Sequence, residues 1–296
     1  MRRKKVFGPE HLDTLYAEAK LGQQAFLASQ FEAAQDMLEE TVPLLRKVAG
    51  SEDRRTLNAI SDLARCRAAT GRTHEAVVLL TECAPKMRDD TFINLLLANL
   101  QLWLGHPEEY NKTRSWMIDY QRRGRGTFRD RADILERAVL ISCLHPLENA
   151  DQGKELLATL ARCQEIRSVV GAPPDRGPGP SWRAMITGMV HYRTGDYAGA
   201  AEALEEWVRL QKNDIHDEPI VNLYRAMVLF QQGHLDAAKS LYRDTSTGIA
   251  PPPSQDQPLL GSQSPQGFPV TVWLTQREAQ KMFGDSPMDI STKKSK

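Results

Sequence analysis

Apolar residues recur along most of the chain at spacings of three and four with polar residues between them, and strand-like alternation is nearly absent, so the pattern predicts helices. A shift of 42 residues lays positions 5–15 onto 47–57, with Lys, Val, Gly, Glu, Thr and Leu coinciding. The same register sets Leu21 against Leu63, Ala34 against Ala76 and Leu38 against Leu80, so the match extends beyond one helix and reads as duplication. One grammar recurs in five copies. A helix carries a small residue (Gly22, Ala64, Ala98, Gly188, Ala226), and a turn residue stands seven positions on (Ser29, Gly71, Gly105, Gly195, Gly233). A second helix has a small residue five past the turn (Ala34, Ala76, Ala200, Ala238), with Tyr110 the exception in the third copy. Two antiparallel helices joined by a short turn approach closely only where small side chains sit at their crossing. Glycine at the turn ends the first helix by accepting a left-handed backbone. A lone hairpin cannot bury both apolar faces, so consecutive hairpins must stack, and the expected fold is an all-α solenoid.

Hairpins are expected at about residues 9–49, 53–88, 90–122, 128–165, 182–211 and 219–244, within one unit spanning 1–245. The fourth, in which the apolar run Leu135 to Ile141 leads to His145 and Pro146, lacks the turn glycine. Residues 166–181 are expected to be a loop, because positions 171–180 hold four prolines and three glycines and cannot be helical. Residues 246–269, with Pro251, Pro252 and Pro253 among Ser, Gln and Gly, are expected to be an extended or disordered linker. An amphipathic helix around Trp273 follows at 270–284, able to cover the last apolar face of the solenoid, and 285–296 are expected to be a disordered tail.

Residues 188–201, with Gly188, Tyr192, Gly195, Tyr197 and Ala200, and residues 226–238, with Ala226, Phe230, Gly233 and Ala238, resemble the tetratricopeptide repeat family. The first two copies look like the 42-residue variant of kinesin light chains, through Gly8-Pro9-Glu10-His11 followed by Asp13-Thr14-Leu15. The resemblance covers roughly residues 5–245. The degenerate central hairpin, the Gly195-Asp196-Tyr197 hairpin and a final helix with Trp273-Leu274 and Arg277-Glu278-Ala279 look like the C-terminal repeat region of planctomycete-type bacterial serine/threonine protein kinases. None of the kinase catalytic motifs stands in this sequence. The resemblance therefore implies a right-handed α-solenoid, and a non-catalytic scaffold or adaptor that takes a peptide or helix in its concave groove. The alternative it implies is an accessory region of such a kinase, with the kinase or its substrates as partner.

Arg3 to Gly8 align with Leu45 to Gly50, so the chain is expected to begin in mid-repeat, as a shortened relative or a fragment. The family's groove positions fall on Gln23 and Phe26, Arg65 and Ala68, Asn99 and Leu102, Met189 and Tyr192, and Met227 and Phe230. Asn99 matches the polar position of repeats that clamp a C-terminal carboxylate, but the companion Lys and Asn are missing. Met189, Tyr192, Met227 and Phe230 make the groove greasy, fit for a partner's helix or extended peptide, or for the chain's own Trp273 helix.

Composition narrows the chemistry. With 41% hydrophobic and 26% charged residues the chain is of ordinary globular make-up, and 38 basic residues balance 38 acidic ones, so no global field draws it to nucleic acid or anionic lipid. The basic start runs into Gly8-Pro9-Glu10-His11 where a signal peptide needs apolar residues, and no stretch is long enough to span a membrane. Cys66, Cys83, Cys143 and Cys163 are widely separated and read as reduced thiols, in keeping with a cytoplasmic protein. The seven histidines have no ligand spacing, no phosphate-binding or nucleophile motif is present, and no metal or cofactor is expected. Arg122 to Arg131, arginines interleaved with glycine and Phe128, could contact RNA, but a solvated loop is the favoured reading and nucleic acid is not an expected partner.

Overall fold

The structure, a computed structural model, describes residues 8–87, 90–123, 128–170, 179–210, 218–254, 257–261 and 268–284. Thirteen α-helices and no strand occur among the described residues. Twelve form six successive antiparallel pairs: α1 (Leu12–Leu27) with α2 (Phe31–Ala49), α3 (Arg54–Ala69) with α4 (Thr73–Cys83), and α5 (Thr91–Trp103) with α6 (Pro107–Arg123). Then come α7 (Phe128–Cys143) with α8 (Ala150–Val170), α9 (Pro180–Arg193) with α10 (Tyr197–Leu210), and α11 (Glu218–Gln231) with α12 (Leu235–Gly248). Each pair packs on the next, and the first helices line one face, α1 against α3, and α5, α7, α9 and α11 in succession. The chain is an all-α solenoid.

The five turn positions read from the sequence share one backbone conformation. Ser29, Gly71, Gly105, Gly195 and Gly233 have φ of 61°, 84°, 77°, 78° and 84°. The residue after each turn position donates its N–H to a carbonyl five residues back, as in Gln30 to Ala25 at 2.9 Å and Asp196 to His191 at 3.0 Å. That bond closes the last turn of the first helix and aims the chain back along it. Acidic caps start several helices: Asp53 accepts from the Arg55 N–H at 2.8 Å, Asp90 from Ile93 at 3.2 Å and Asp196 from Gly199 at 2.9 Å.

The small residues lie at the crossings. A Cβ placed on Gly188 would meet Leu204 Cγ at 2.6 Å, and one on Gly22 would meet Leu38 Cγ at 2.8 Å, while Ala34, Ala76, Ala200 and Ala238 are fully buried. Tyr110, in the exceptional third copy, is also fully buried, and its hydroxyl donates to the Ile141 carbonyl at 2.6 Å, so the ring reaches through to the next hairpin. In the fourth hairpin, which has no turn glycine, Asn149 Oδ1 accepts from the Gln152 N–H at 3.1 Å and starts α8.

Three segments differ from expectation. Helix α8 runs to Val170, into the expected loop at 166–181, of which residues 171–178 lie outside the described set. Helix α12 continues to Gly248 and α13 (Phe268–Phe283) begins at Phe268. The described part of the segment expected to be extended or disordered is docked: the Leu259 N–H donates to the Ala68 carbonyl at 3.0 Å, and Leu259 and Leu260 are buried in the core of the first five helices. Two leucines in a Pro- and Gln-rich stretch bury enough apolar surface to anchor it. The expected tail at 285–296, the first seven residues and positions 124–127 of the arginine cluster also lie outside the described residues.

Candidate functional site

Helix α13 lies along the face formed by the first helices of the hairpins, packed on α5 and α11 and touching α12. It joins the two main cores, because Val270 is buried with Leu96, Leu100 and Trp103, whereas Ala279 is buried with Met189 and Met227. It therefore covers the inner face along its length, in addition to the last hairpin that the sequence suggested it would cap.

Contacts from five of its residues fix its register. At its start Thr271 Oγ1 donates to Asn99 Oδ1 at 3.1 Å, a fully buried pair. The Trp273 ring lies 5.6 Å from that of Trp103, its indole N–H donates to the Ala250 carbonyl at 2.9 Å, and the Arg277 guanidinium sits 3.9 Å above the Trp103 ring. In the middle, both terminal nitrogens of Arg193 donate to the Glu278 carboxylate, one of them at 2.7 Å to Oε2. At its end the Phe283 ring packs 5.3 Å from Phe230 and stacks at 4.6 Å on Tyr242.

Arg193 is the charged centre of the face. Its side chain is 3% exposed, its Nε donates to the Cys143 carbonyl at 2.9 Å, and one terminal nitrogen also donates to the Tyr224 hydroxyl at 2.9 Å. The rings of Tyr192 and Tyr224 flank it, each 5.5 Å from the guanidinium carbon. Burial alone would lower its pKa, but Tyr224 and Glu278 outweigh that and hold it above the usual arginine value, so the charge is permanent. A buried cation of this kind needs a carboxylate, and among the described residues Glu278 supplies it.

Nine of the ten sequence-derived groove residues fall in two groups, and the tenth, Ala68, is fully buried with its carbonyl accepting from the Leu259 N–H. Asn99, Leu102, Met189, Tyr192, Met227 and Phe230 lie in the region that α13 covers: Asn99, Met189 and Met227 are fully buried, Tyr192 is 9% exposed with its hydroxyl 3.6 Å from Met227 Sδ, and Leu102 is partly buried on the same core. Gln23, Phe26 and Arg65 lie at the other end. There Gln23 Nε2 donates to both oxygens of Asp62 at 3.2 and 3.1 Å, Arg65 donates to Asp62 at 2.8 Å, and Lys20 donates to Gln23 at 3.0 Å. Burial pushes the Asp62 carboxyl upward against the pull of Arg65. Phe26 is buried against Phe31, with ring centroids 5.2 Å apart. Trp103, Arg193 and Tyr224 were not among the sequence-derived positions. The available signal was Arg193 itself, a charge one residue beyond a groove position, and Glu278 in the amphipathic C-terminal segment.

Elsewhere the chemistry is quiet. The four cysteines are buried and unpaired, and burial pushes each thiol up to about 12, where thiolate is scarce at neutral pH. Among the described residues no three His, Cys, Asp or Glu side chains gather to hold a metal, and no helix is long and apolar enough to cross a membrane. A cleft between α2, α3 and α4 is lined by Arg46, Arg67 and Arg72, but Glu39, Glu75 and Glu82 already pair with these cations. The side chains of the Arg122–Arg131 cluster lie outside the described residues.

No protein-family model matches the sequence, and no curated protein matches it. Among solved structures, a putative kinesin light chain with nearly identical TPR-like repeats from Podosopora anserina aligns with 80% of this chain and 95% of its own at 16% identity, with a TM-score of 0.37, too loose a superposition to carry a conclusion. A tetratricopeptide repeat protein from Parabacteroides merdae ATCC 43184 aligns with 92% of this chain and 94% of its own at 14% identity, with a TM-score of 0.50. At such identity the likeness is one of architecture, and the chain has the fold of a tetratricopeptide repeat protein.

Proposed function

We propose that the chain is a non-catalytic protein-interaction scaffold whose working surface is the face lined by the first helices of the hairpins. The observation that supports this most is α13 itself. A helix seated by Asn99, Trp103, Arg193 and Phe230 is evidence of a surface shaped and charged to hold an amphipathic helix. The polar cluster of Lys20, Gln23, Asp62 and Arg65 continues the same face beyond α13 and offers hydrogen-bonding groups for the remainder of a partner.

The same fold would serve an accessory region of a protein kinase, and the test separates the two. Affinity purification of the tagged chain from its native cells is expected to return a defined protein at stoichiometric level. Recovery of a kinase would select the accessory reading. Recovery of nucleic acid without protein, or turnover of a substrate by the purified chain alone, would contradict the scaffold.

A further inference from the structure

The contacts of α13 describe more than a lid. Behind Phe268 and Pro269 its sequence runs through Val270, Thr271 and Val272, β-branched residues of low helix propensity, and a helix of 16 residues with such a start is marginal by itself in water. The face therefore supplies the free energy that keeps α13 helical. Helix α13 belongs to none of the six hairpins, and the described residues before it form no regular element and keep their own anchor at Leu259 and Leu260, so α13 can leave its seat without unfolding a hairpin. Departure would strip Arg193 of its carboxylate while leaving it ringed by Tyr192 and Tyr224, bonded only to a hydroxyl and a carbonyl. Departure also uncovers the guanidinium, and any helix that buries it again without bringing a carboxylate would leave an uncompensated cation, which is costly.

We infer that this face binds, in trans, an amphipathic helix of another protein that carries a glutamate for Arg193, and that α13 is the built-in competitor for that position. This deepens the scaffold reading and rests on it. The pattern of the incoming helix follows from the one in place: a hydroxyl for Asn99, a carboxylate seven residues later for Arg193, and an apolar side chain four residues beyond, where Met282 packs on the core. A partner with better intrinsic helix propensity than α13 loses less entropy on docking and can displace it even at equal contacts. Because α13 is tethered, the partner sees only the fraction of molecules whose face is open, and its apparent affinity is reduced by that fraction.

The test uses the full chain and a fluorescein-labelled peptide of residues 268–284 as probe, read by anisotropy. Glu278→Gln in the chain weakens the competitor alone and is expected to tighten probe binding at least about tenfold, whereas Glu278→Gln in the probe is expected to weaken its binding to every chain by at least about tenfold. Phe283→Ala in the chain is the second variant; it loosens α13 without touching Arg193 and should likewise tighten binding while keeping the preference for the glutamate probe. Thermal melts report that both variants are folded. Binding that is indifferent to residue 278 of the probe overturns the carboxylate code and leaves the scaffold reading intact. Binding of neither probe by any chain overturns both the exchange and the helix-holding face. A dimer of the Phe283→Ala chain in light scattering, in place of probe binding, would assign the face to a second copy and overturn the inference.

Discussion

Ser29 occupies the left-handed turn that glycine fills in four other hairpins, with φ of 61° and a Cβ that crowds the adjacent carbonyl. Ser29→Gly is expected to stabilise the protein by about 1 kcal/mol, the relief of that crowding less the added freedom of the unfolded chain. An upward shift in the midpoint of urea unfolding checks it; an unchanged or lower midpoint would mean that this turn is not strained. The position was legible in the sequence because the geometry is local: seven residues past a small residue, and one before the amide that must reach back to Ala25. That the first copy uses serine there says the spacing was the signal, and glycine only its commonest expression.

Helix pairing was readable for a similar reason. Ala34, Ala76, Ala200 and Ala238 stand at one fixed offset, and each is fully buried where two helices cross. Ala200→Trp inserts a large ring at the closest approach of α9 and α10, beside Gly188 and Leu204, and is expected to cost about 1–3 kcal/mol or more by overpacking. A melting temperature equal to that of the parent would mean that Ala200 does not face its partner helix. Elements without the offset were less legible. Tyr110 breaks the pattern because its ring serves the next hairpin, through a hydroxyl bond to Ile141 that spans 31 residues. The end of α8 was less legible because the prolines that follow it forbid helix only from position 173 onward, and residues 166–170 continue the helix to Val170.

At the scale of the whole molecule, one helix ties the third hairpin to the last across the inner face. The amphipathic character of α13 was visible in the sequence, but its seat was not, since the pairing of Thr271 with Asn99 spans 172 residues and that of Glu278 with Arg193 spans 85. Periodicity reports which side of a helix is apolar and says nothing of which surface receives it. The same limit hid Arg193, a lone charge in the sequence that acquires meaning only beside Tyr192, Tyr224 and a carboxylate from the far end of the chain. Likewise Leu259 and Leu260 looked like incidental leucines in a linker until the Ala68 carbonyl gave them an anchor.

Hydrogen–deuterium exchange of the full chain tests this arrangement most directly, because helix formation by α13 depends on its seat. The amides of residues 270–283 should exchange more slowly than an unstructured peptide yet faster than those of α3 or α9, and Glu278→Ala should remove their protection while sparing the hairpins. Exchange of residues 270–283 at the unstructured rate in the unaltered protein would contradict the account.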